Sequence, residues 1–148
     1  MAYNILVVED TSDWRRKLVG YLVEEGEYSV LEADNYRKAS ELIQRVPFDV
    51  VVLDIRLTDW EEKDEHGMQL LRELDPVADM NGTRAIMITG YGTIDRMREA
   101  FRDHQVVDFI EKQHFSPKEF KTTVLKAAEQ ARLKREETMG GKYSKKHK

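Results

Sequence analysis

Apolar residues along the chain follow two alternating spacings. Short, largely apolar runs have the length of β-strands. Between them lie stretches in which apolar residues recur every three or four positions, the spacing of one helix face. The predicted strands are Ile5–Val8, Tyr28–Ala33, Phe48–Leu53, Ala85–Ile88 and Val106–Ile110. Strands and helices are therefore expected to alternate up to about residue 131.

The helical stretches carry recognisable start and stop signals. In the first, Trp14 and the leucines that follow recur every four residues, Thr11 or Ser12 can cap its start, and Gly26 can close its end. Ser116 to Glu119 form a capping box with proline at the first helical position. The other predicted helices are Ala39–Val46, ending before Pro47, then Met68–Leu74 and Ile94–Phe101.

The last predicted helix follows this capping box and turns one apolar side inward. That side comprises Phe120, Val124, Ala127, Ala128 and Ala131. We expect the helix to reach about Glu137, with Gly140-Gly141 ending it, because two glycines disfavour a helix. The whole order is then a five-fold repeat of strand and helix.

This order predicts a single-domain α/β fold, a doubly wound sheet of five parallel strands with helices on both faces. The uninterrupted run Val50–Leu53 suits a parallel strand that is covered on both sides. In such sheets ligands bind where loops leave the carboxyl ends of the strands. Functional residues are therefore expected at that edge.

Chemically suggestive residues follow four of the five strands. Glu9-Asp10 follow the first, Asp54 the third, Thr89 the fourth and Lys112 the fifth. Carboxylates packed this closely repel one another unless a cation joins them, and Mg²⁺ prefers such oxygen ligands. An ionised aspartate can attack phosphorus, while a metal and a lysine neutralise charge on the phosphoryl oxygens.

This ordered set resembles the receiver domain of response regulators in two-component signalling. The stretches Met87–Gly92 and Val107–Lys112 are also similar to the family, and the resemblance covers about residues 3–130. No single piece is specific, but the ordered set is. The resemblance implies a flavodoxin-like fold and an acidic Mg²⁺ site. Asp10, Asp54 and the backbone carbonyl of Arg56 would ligate the metal, and Glu9 would hold it through water.

The resemblance also assigns the phosphorylation chemistry and the switch. Asp54 would accept a phosphoryl group from the phosphohistidine of a kinase. Lys112 would pair with one phosphoryl oxygen, and Thr89 would hydrogen-bond another. Phe109 would turn inward as Thr89 moves. Such a protein catalyses its own phosphorylation and dephosphorylation and acts as a switch rather than as a conventional turnover enzyme.

The implied partners are a sensor histidine kinase or a phosphotransfer protein, and an output domain or partner protein. Family members usually dimerise or dock partners on the face formed by the fourth helix, fifth strand and last helix, so a homodimer through it is one expectation. Here that face would include Arg96, Arg98, Arg102 and Lys121.

Two stretches depart from the family pattern. Gln113 follows Lys112 where the family usually has proline, so the Lys112–Gln113 peptide is either trans or a strained cis bond. An acidic insertion, Thr58–His66, separates Asp54 from Gly67. It could select a kinase, but a variable surface loop is the favoured interpretation. We also expect Arg56 to lie over the phosphoryl group and to slow its hydrolysis.

Composition narrows the function classes. The chain has 148 residues, one-domain length, and no cysteine, which excludes disulfides and thiolate metal sites. No signal peptide or membrane-length apolar run is present, so a cytoplasmic protein without membrane contact is expected. The net charge is −4, yet residues 132–148 carry seven basic and two acidic residues. We therefore expect a receiver domain over 1–131 that binds no nucleic acid, followed by a basic helical extension and tail over 132–148.

Three other functions are compatible with parts of this pattern. A haloacid-dehalogenase-like phosphatase would need a second aspartate as general acid where Arg56 stands. Dinucleotide binding would need a glycine-rich turn after the first strand, where Glu9-Asp10 would repel a pyrophosphate. A receiver-like interaction module that takes no phosphoryl group stays open as the alternative function.

Overall fold

The computed structural model describes residues 2–54, 64–90, 102 and 106–146, with side chains described up to residue 138 and, in the second range, from residue 69. The strands are β1 (Tyr3–Val8), β2 (Tyr28–Ala33), β3 (Val50–Asp54), β4 (Arg84–Thr89) and β5 (Val106–Glu111). The helices are α1 (Ser12–Glu24), α2 (Tyr36–Arg45), α3 (Asp64–Asn81) and α4 (Pro117–Lys146). A 3₁₀ turn, Lys112–His114, joins β5 to α4. The predicted helix Ile94–Phe101, Arg56 and the insertion up to residue 63 lie outside the described residues.

The five strands form one parallel sheet in the order β2-β1-β3-β4-β5. This confirms the predicted five-stranded parallel sheet. The observed strands extend one or two residues beyond several predicted limits, whereas Phe48 and Asp49 precede β3 instead of opening it. All carboxyl ends lie at one edge, called the carboxyl edge below. The opposite edge is called the amino edge.

Helices cover both faces of the sheet, as expected for a doubly wound fold. Side chains of β1 alternate between the faces, so that Leu6 and Val8 join α2 and α3 in one core, whereas Ile5 and Val7 join α1 and α4 in the other. In β3 every residue from Val50 to Leu53 is buried. The central strands are thus covered on both sides, and the carboxyl edge is held on a rigid support.

Local capping signals agree in part with the sequence predictions. Gly26 has a φ of 71° and closes α1, as predicted. The Ser116 hydroxyl accepts a hydrogen bond from the Glu119 N–H at 3.3 Å, which confirms that cap. Thr11 is the cap residue of α1, but its side chain makes no capping hydrogen bond. Asn35, which the sequence reading did not single out, caps α2 by accepting from the Lys38 N–H.

Two helices are much longer than predicted. Helix α3 starts at Asp64 instead of Met68 and continues past Leu74 to Asn81, because Val77 and Ala78 extend its packed apolar side. Helix α4 continues through Gly140-Gly141 to Lys146. A glycine costs about 1 kcal/mol in a helix, but each residue added to an existing helix also gains a hydrogen bond. The expected boundary near residue 131 therefore falls inside one continuous helix.

The amino edge is joined to α4 by an ion pair between a buried carboxylate and a half-buried guanidinium. Asp49, just before β3, accepts the Asn4 N–H at 2.8 Å and pairs with Arg135 of α4. Arg135 also donates to the Asn81 carbonyl at 3.3 Å. Gly82 packs so closely against α4 that an added Cβ would lie 2.5 Å from the Ala131 carbonyl oxygen. Helix α4 is thus held against this edge by the contacts of Ala131 and Arg135.

Candidate metal and phosphoryl site at the carboxyl edge

Three carboxylates meet where β1 and β3 end. Glu9 and Asp10 follow the last residue of β1, and Asp54 is the last residue of β3. Because Val8 is paired with Leu53, the residues that follow them, Glu9 and Asp54, lie side by side at the carboxyl edge. One oxygen of each carboxylate lies within 4.8 Å of the others. The strand register therefore brings together the three acidic residues that the sequence singled out.

Lys112 supplies a positive charge to this cluster. It begins the 3₁₀ turn after β5, and its Nζ lies 3.3 Å from Glu9 Oε1 and 3.5 Å from Asp54 Oδ1. No cis peptide occurs among the described residues, so the Lys112–Gln113 bond is trans. Gln113 in place of proline therefore does not keep Lys112 away from the cluster.

Glu9 is the most deeply buried member of the cluster. Its side chain is 0% exposed, and its Oε1 accepts the Thr11 N–H at 3.1 Å. Its Oε2 is buried and has no hydrogen-bond partner among the described residues. Arg15 donates to the Glu9 carbonyl at 3.0 Å and pairs with Glu32 at 3.0 Å. The Glu9 backbone is therefore fixed, while one of its buried oxygens is left for a ligand.

Asp54 is costly to ionise in this arrangement. Burial, and next the negative charge of Glu9, raise the pKa of its carboxyl to about 7, and the Lys112 ammonium offsets only part of this. Asp10 adds a smaller contribution in the same direction. The pKa of Asp54 is thus far above its ordinary value, and such large shifts are common at functional sites.

A divalent metal ion fits these residues. Glu9 and Asp54 share one ammonium, so the pair keeps excess negative charge when both are ionised. The donor atoms are all oxygens, the ligand type that Mg²⁺ prefers, and the buried Glu9 Oε2 lacks a hydrogen-bond partner. The described cluster could therefore hold a metal. Arg56, the further expected ligand, lies outside the described residues.

The two expected switch residues lie on β4 and β5. Thr89 ends β4, is 0% exposed, and comes one position after the residue paired with Asp54. Phe109 of β5 is partly buried against the core on the α2–α3 side of the sheet. It also lines a groove of about 440 Å³ between β5 and α4. Thr89 thus lies beside the acidic cluster, and Phe109 lies farther from it, on the next strand of the sheet.

Sequence reasoning missed an aromatic group beside the lysine. Trp14 was read only as a core residue of the first helix, yet the Lys112 Nζ lies 5.2 Å from the centre of its ring. The edge of Phe115 meets the same ring, with the two ring centres 5.3 Å apart. The position of Trp14 in the sequence is the one feature that could have indicated this role. Trp14 lies one helical turn before the first core leucine, so it is close to the carboxyl edge.

Comparisons with known proteins agree with this geometry. A family model described as the response regulator receiver domain matches residues 5–125. The chain is 33% identical over 94 residues to the response regulator receiver protein CpdR of Brucella abortus (strain 2308), a match that covers 62% of this chain and 69% of CpdR. The matched region of the family model includes every residue of the acidic cluster and Lys112.

Solved structures show the same fold. A crystal structure of NtrX from Brucella abortus is 32% identical with a TM-score of 0.72; the match covers 93% of this chain but 29% of that one. A CheY-like response regulator receiver domain protein from Methanospirillum hungatei JF-1 is 24% identical with a TM-score of 0.72, covering 90% of this chain and 99% of that one. The latter likeness shows the fold alone. Among the described residues no helix is both long and apolar enough to cross a membrane.

Proposed function

Because the chain belongs to the response regulator receiver domain family, we propose that it accepts a phosphoryl group on Asp54 and thereby switches a signalling surface. The donor would be a sensor histidine kinase or a phosphotransfer protein of a two-component system. One observation carries the proposal: the Asp54 carboxylate lies at the carboxyl edge within 3.5 Å of Lys112 and inside an acidic cluster that could hold a metal.

In the proposed step an Asp54 carboxylate oxygen forms a bond to phosphorus. The phosphorus–nitrogen bond of the donor phosphohistidine breaks, and its electron pair stays on the imidazole. Lys112 pairs with one phosphoryl oxygen and Thr89 hydrogen-bonds another, so that both stabilise the charge on the transferred group. Hydrolysis of the aspartyl phosphate returns the carboxylate, and the Arg56 side chain would slow that reaction.

Glu9, Asp10, Asp54 and the Arg56 carbonyl would hold Mg²⁺, with Glu9 acting through water. When bound, the metal ion supplies a positive charge beside the phosphoryl oxygens and lets neighbouring carboxylates ionise together. The raised pKa of Asp54 and the buried, unpartnered Glu9 Oε2 support this assignment. Without a cation, Asp54 would be substantially protonated near neutral pH and a poorer nucleophile.

The output of the switch would be a surface change. We propose that Thr89 moves toward the phosphoryl group and that Phe109 turns inward behind it, which changes the β5–α4 surface that a partner protein or output domain reads. A homodimer through this surface is one form that the output could take. The receiver domain would span 1–131 with a basic extension over 132–148, and a cytoplasmic location is proposed.

The test is phosphorylation by a small phosphodonor. The protein is incubated with acetyl phosphate and Mg²⁺, and its intact mass is measured for the wild type, Asp54→Asn and Asp34→Asn. Asp34 is a matched control because it follows β2 at the same edge but is exposed and outside the cluster. We expect a gain of one phosphoryl mass (about 80 Da) in the wild type and in Asp34→Asn. Asp54→Asn, or the wild type with EDTA, should gain none.

Two results would contradict the proposal. An adduct of equal amount in Asp54→Asn would move the acceptor to another residue. If the wild type gains no mass, beryllofluoride with Mg²⁺, a mimic of the aspartyl phosphate, separates two explanations. Binding of the mimic would show that the site is intact and that acetyl phosphate is a poor donor. No binding would favour the phosphorylation-independent interaction module.

A further inference from the structure

The aromatic cluster beside the acidic site comprises Trp14 and Tyr21 of α1, Phe115 after the 3₁₀ turn, and Phe120 of α4. Phe115 is its centre, with ring centres 5.3 Å from Trp14, 5.9 Å from Tyr21 and 5.5 Å from Phe120. The Phe115 N–H also donates to the Lys112 carbonyl at 3.4 Å, closing the 3₁₀ turn. The cluster therefore joins the segment that carries Lys112 to two helices.

One face of this cluster contacts the lysine itself. The Lys112 Nζ lies 5.2 Å from the centre of the Trp14 ring, within the range of a cation–π interaction. The exposed Lys17 ammonium lies at the same distance from the ring. The Lys112 side chain is only 17% exposed, so its interaction with the ring is less weakened by water. Trp14 is thus a second attachment for an ammonium that Glu9 and Asp54 already hold.

We propose that Trp14 is a positioning residue that directs the Lys112 ammonium toward Asp54. The family usually places a proline after this lysine, which restricts the backbone, whereas Gln113 here does not. The Trp14 ring restricts the lysine from the side-chain end instead, and Phe115 restricts the turn. This inference rests on the proposed function, because it assigns Trp14 a role only through the phosphoryl contact of Lys112.

The first test needs no phosphoryl chemistry. Protein with ¹³C-labelled lysine is examined by NMR, and the Lys112 ε-methylene signal is assigned by its loss in Lys112→Arg. A methylene next to an indole ring is shifted upfield by the ring current. We expect the wild type and Tyr28→Leu to show the shift and Trp14→Leu to lose it. Tyr28 is the control because it packs on the same face of the sheet without contacting Lys112.

The second test measures beryllofluoride binding in the presence of Mg²⁺. We expect Trp14→Leu to lower the affinity by about 3- to 10-fold, and Trp14→Phe, which keeps an aromatic face, to retain most of it. Mg²⁺ affinity alone should change by less than about twofold, since Lys112 does not ligate the metal. In a Lys112→Met background, Trp14→Leu should lower beryllofluoride affinity no further.

Each result decides the inference. An unshifted Lys112 signal in the wild type would overturn it, and so would an equal loss of beryllofluoride affinity in Tyr28→Leu or in the Lys112→Met background. If the wild type binds neither phosphoryl group nor beryllofluoride, the proposed function fails. In that case, an upfield Lys112 signal that Trp14→Leu abolishes would still establish the contact between Lys112 and Trp14. The contact would have no catalytic consequence, and the positioning role would be overturned with the function.

Discussion

Two aspartates stand at the two ends of β3, and both side chains are 5% exposed. Asp49, at the amino edge, has both oxygens engaged, one by the Asn4 N–H and the other by Arg135. Asp54, at the carboxyl edge, shares Lys112 with Glu9, and its pKa is raised to about 7. Equal burial thus yields a structural ion pair at one end and a ligand site at the other. The number of partners, not the depth of burial, separates the two roles.

The largest expected effect is on the amino edge. Asp49→Ala leaves the Asn4 N–H and the Arg135 guanidinium without their acceptor, and we expect a loss of about 2 kcal/mol in the free energy of unfolding. Urea unfolding followed by circular dichroism measures it. Asp79→Ala, at an exposed position of α3, is the control and should change stability by less than about 0.5 kcal/mol. Equal losses in both variants would show that the ion pair is not what stabilises this edge.

At the carboxyl end of β3, replacing the aspartate is expected to stabilise the folded, metal-free protein instead of destabilising it. In the unfolded chain Asp54 titrates near its ordinary value of 3.8, and in the metal-free folded protein near 7. Between these values the folded state keeps a proton that the unfolded state has lost, so stability falls as pH rises through this interval and stays lowered above it. Asp54→Asn removes that penalty and should therefore stabilise the metal-free protein more at pH 8 than near pH 4.

The same pH series with Mg²⁺ provides the control for this prediction. Metal binding favours the ionised carboxylate, so Mg²⁺ should stabilise the wild type more at pH 8 than at pH 5. Asp54→Asn should show a much smaller response to the metal. A pH-independent difference between wild type and variant would mean that Asp54 is not the group whose ionisation opposes folding.

The smallest expected effect concerns the shape of the cation at the amino edge. Arg135→Lys keeps a positive charge beside Asp49 but replaces the planar guanidinium, whose Nη1 donates to both Asp49 and the Asn81 carbonyl, by an ammonium of different shape and reach. We expect a loss of about 0.5 to 1 kcal/mol, measurable as a shift in the urea midpoint. Arg132→Lys, in an exposed pair with Glu136, should be nearly neutral. If the Arg135→Lys variant were as stable as the wild type, the positive charge of Arg135 alone would explain its effect on stability.

The carboxyl edge could be predicted from the sequence because its residues follow strand ends. Glu9 and Asp54 come directly after predicted strands and Lys112 comes two residues after one, and a parallel sheet brings such positions together at one edge. The alternation of strands and helices along the chain and the two-sided core followed from the same apolar runs. These features depend on local pattern and topology, both of which a sequence carries.

The amino edge and the aromatic support could not be predicted in this way. Asp49 lies 86 positions from Arg135, and their contact depends on how α4 crosses the sheet, which no periodicity records. Trp14 has the spacing of a core residue, and only the path of the 3₁₀ turn brings Lys112 over its ring. The length of α3 was missed because Pro76 lies inside it, where a proline normally indicates a helix end.

The positions of the site residues along the chain have a consequence for the order in which the protein folds. Glu9 directly follows the first strand made, yet its ammonium partner lies 103 positions later. On a ribosome, the two acidic strand ends would form and meet while the cation that offsets their repulsion was still unsynthesised. Contacts of such long range slow folding, because a large loop must close before any of them forms. The site and the finished sheet are therefore expected to appear in the same kinetic step, with β5 arriving last.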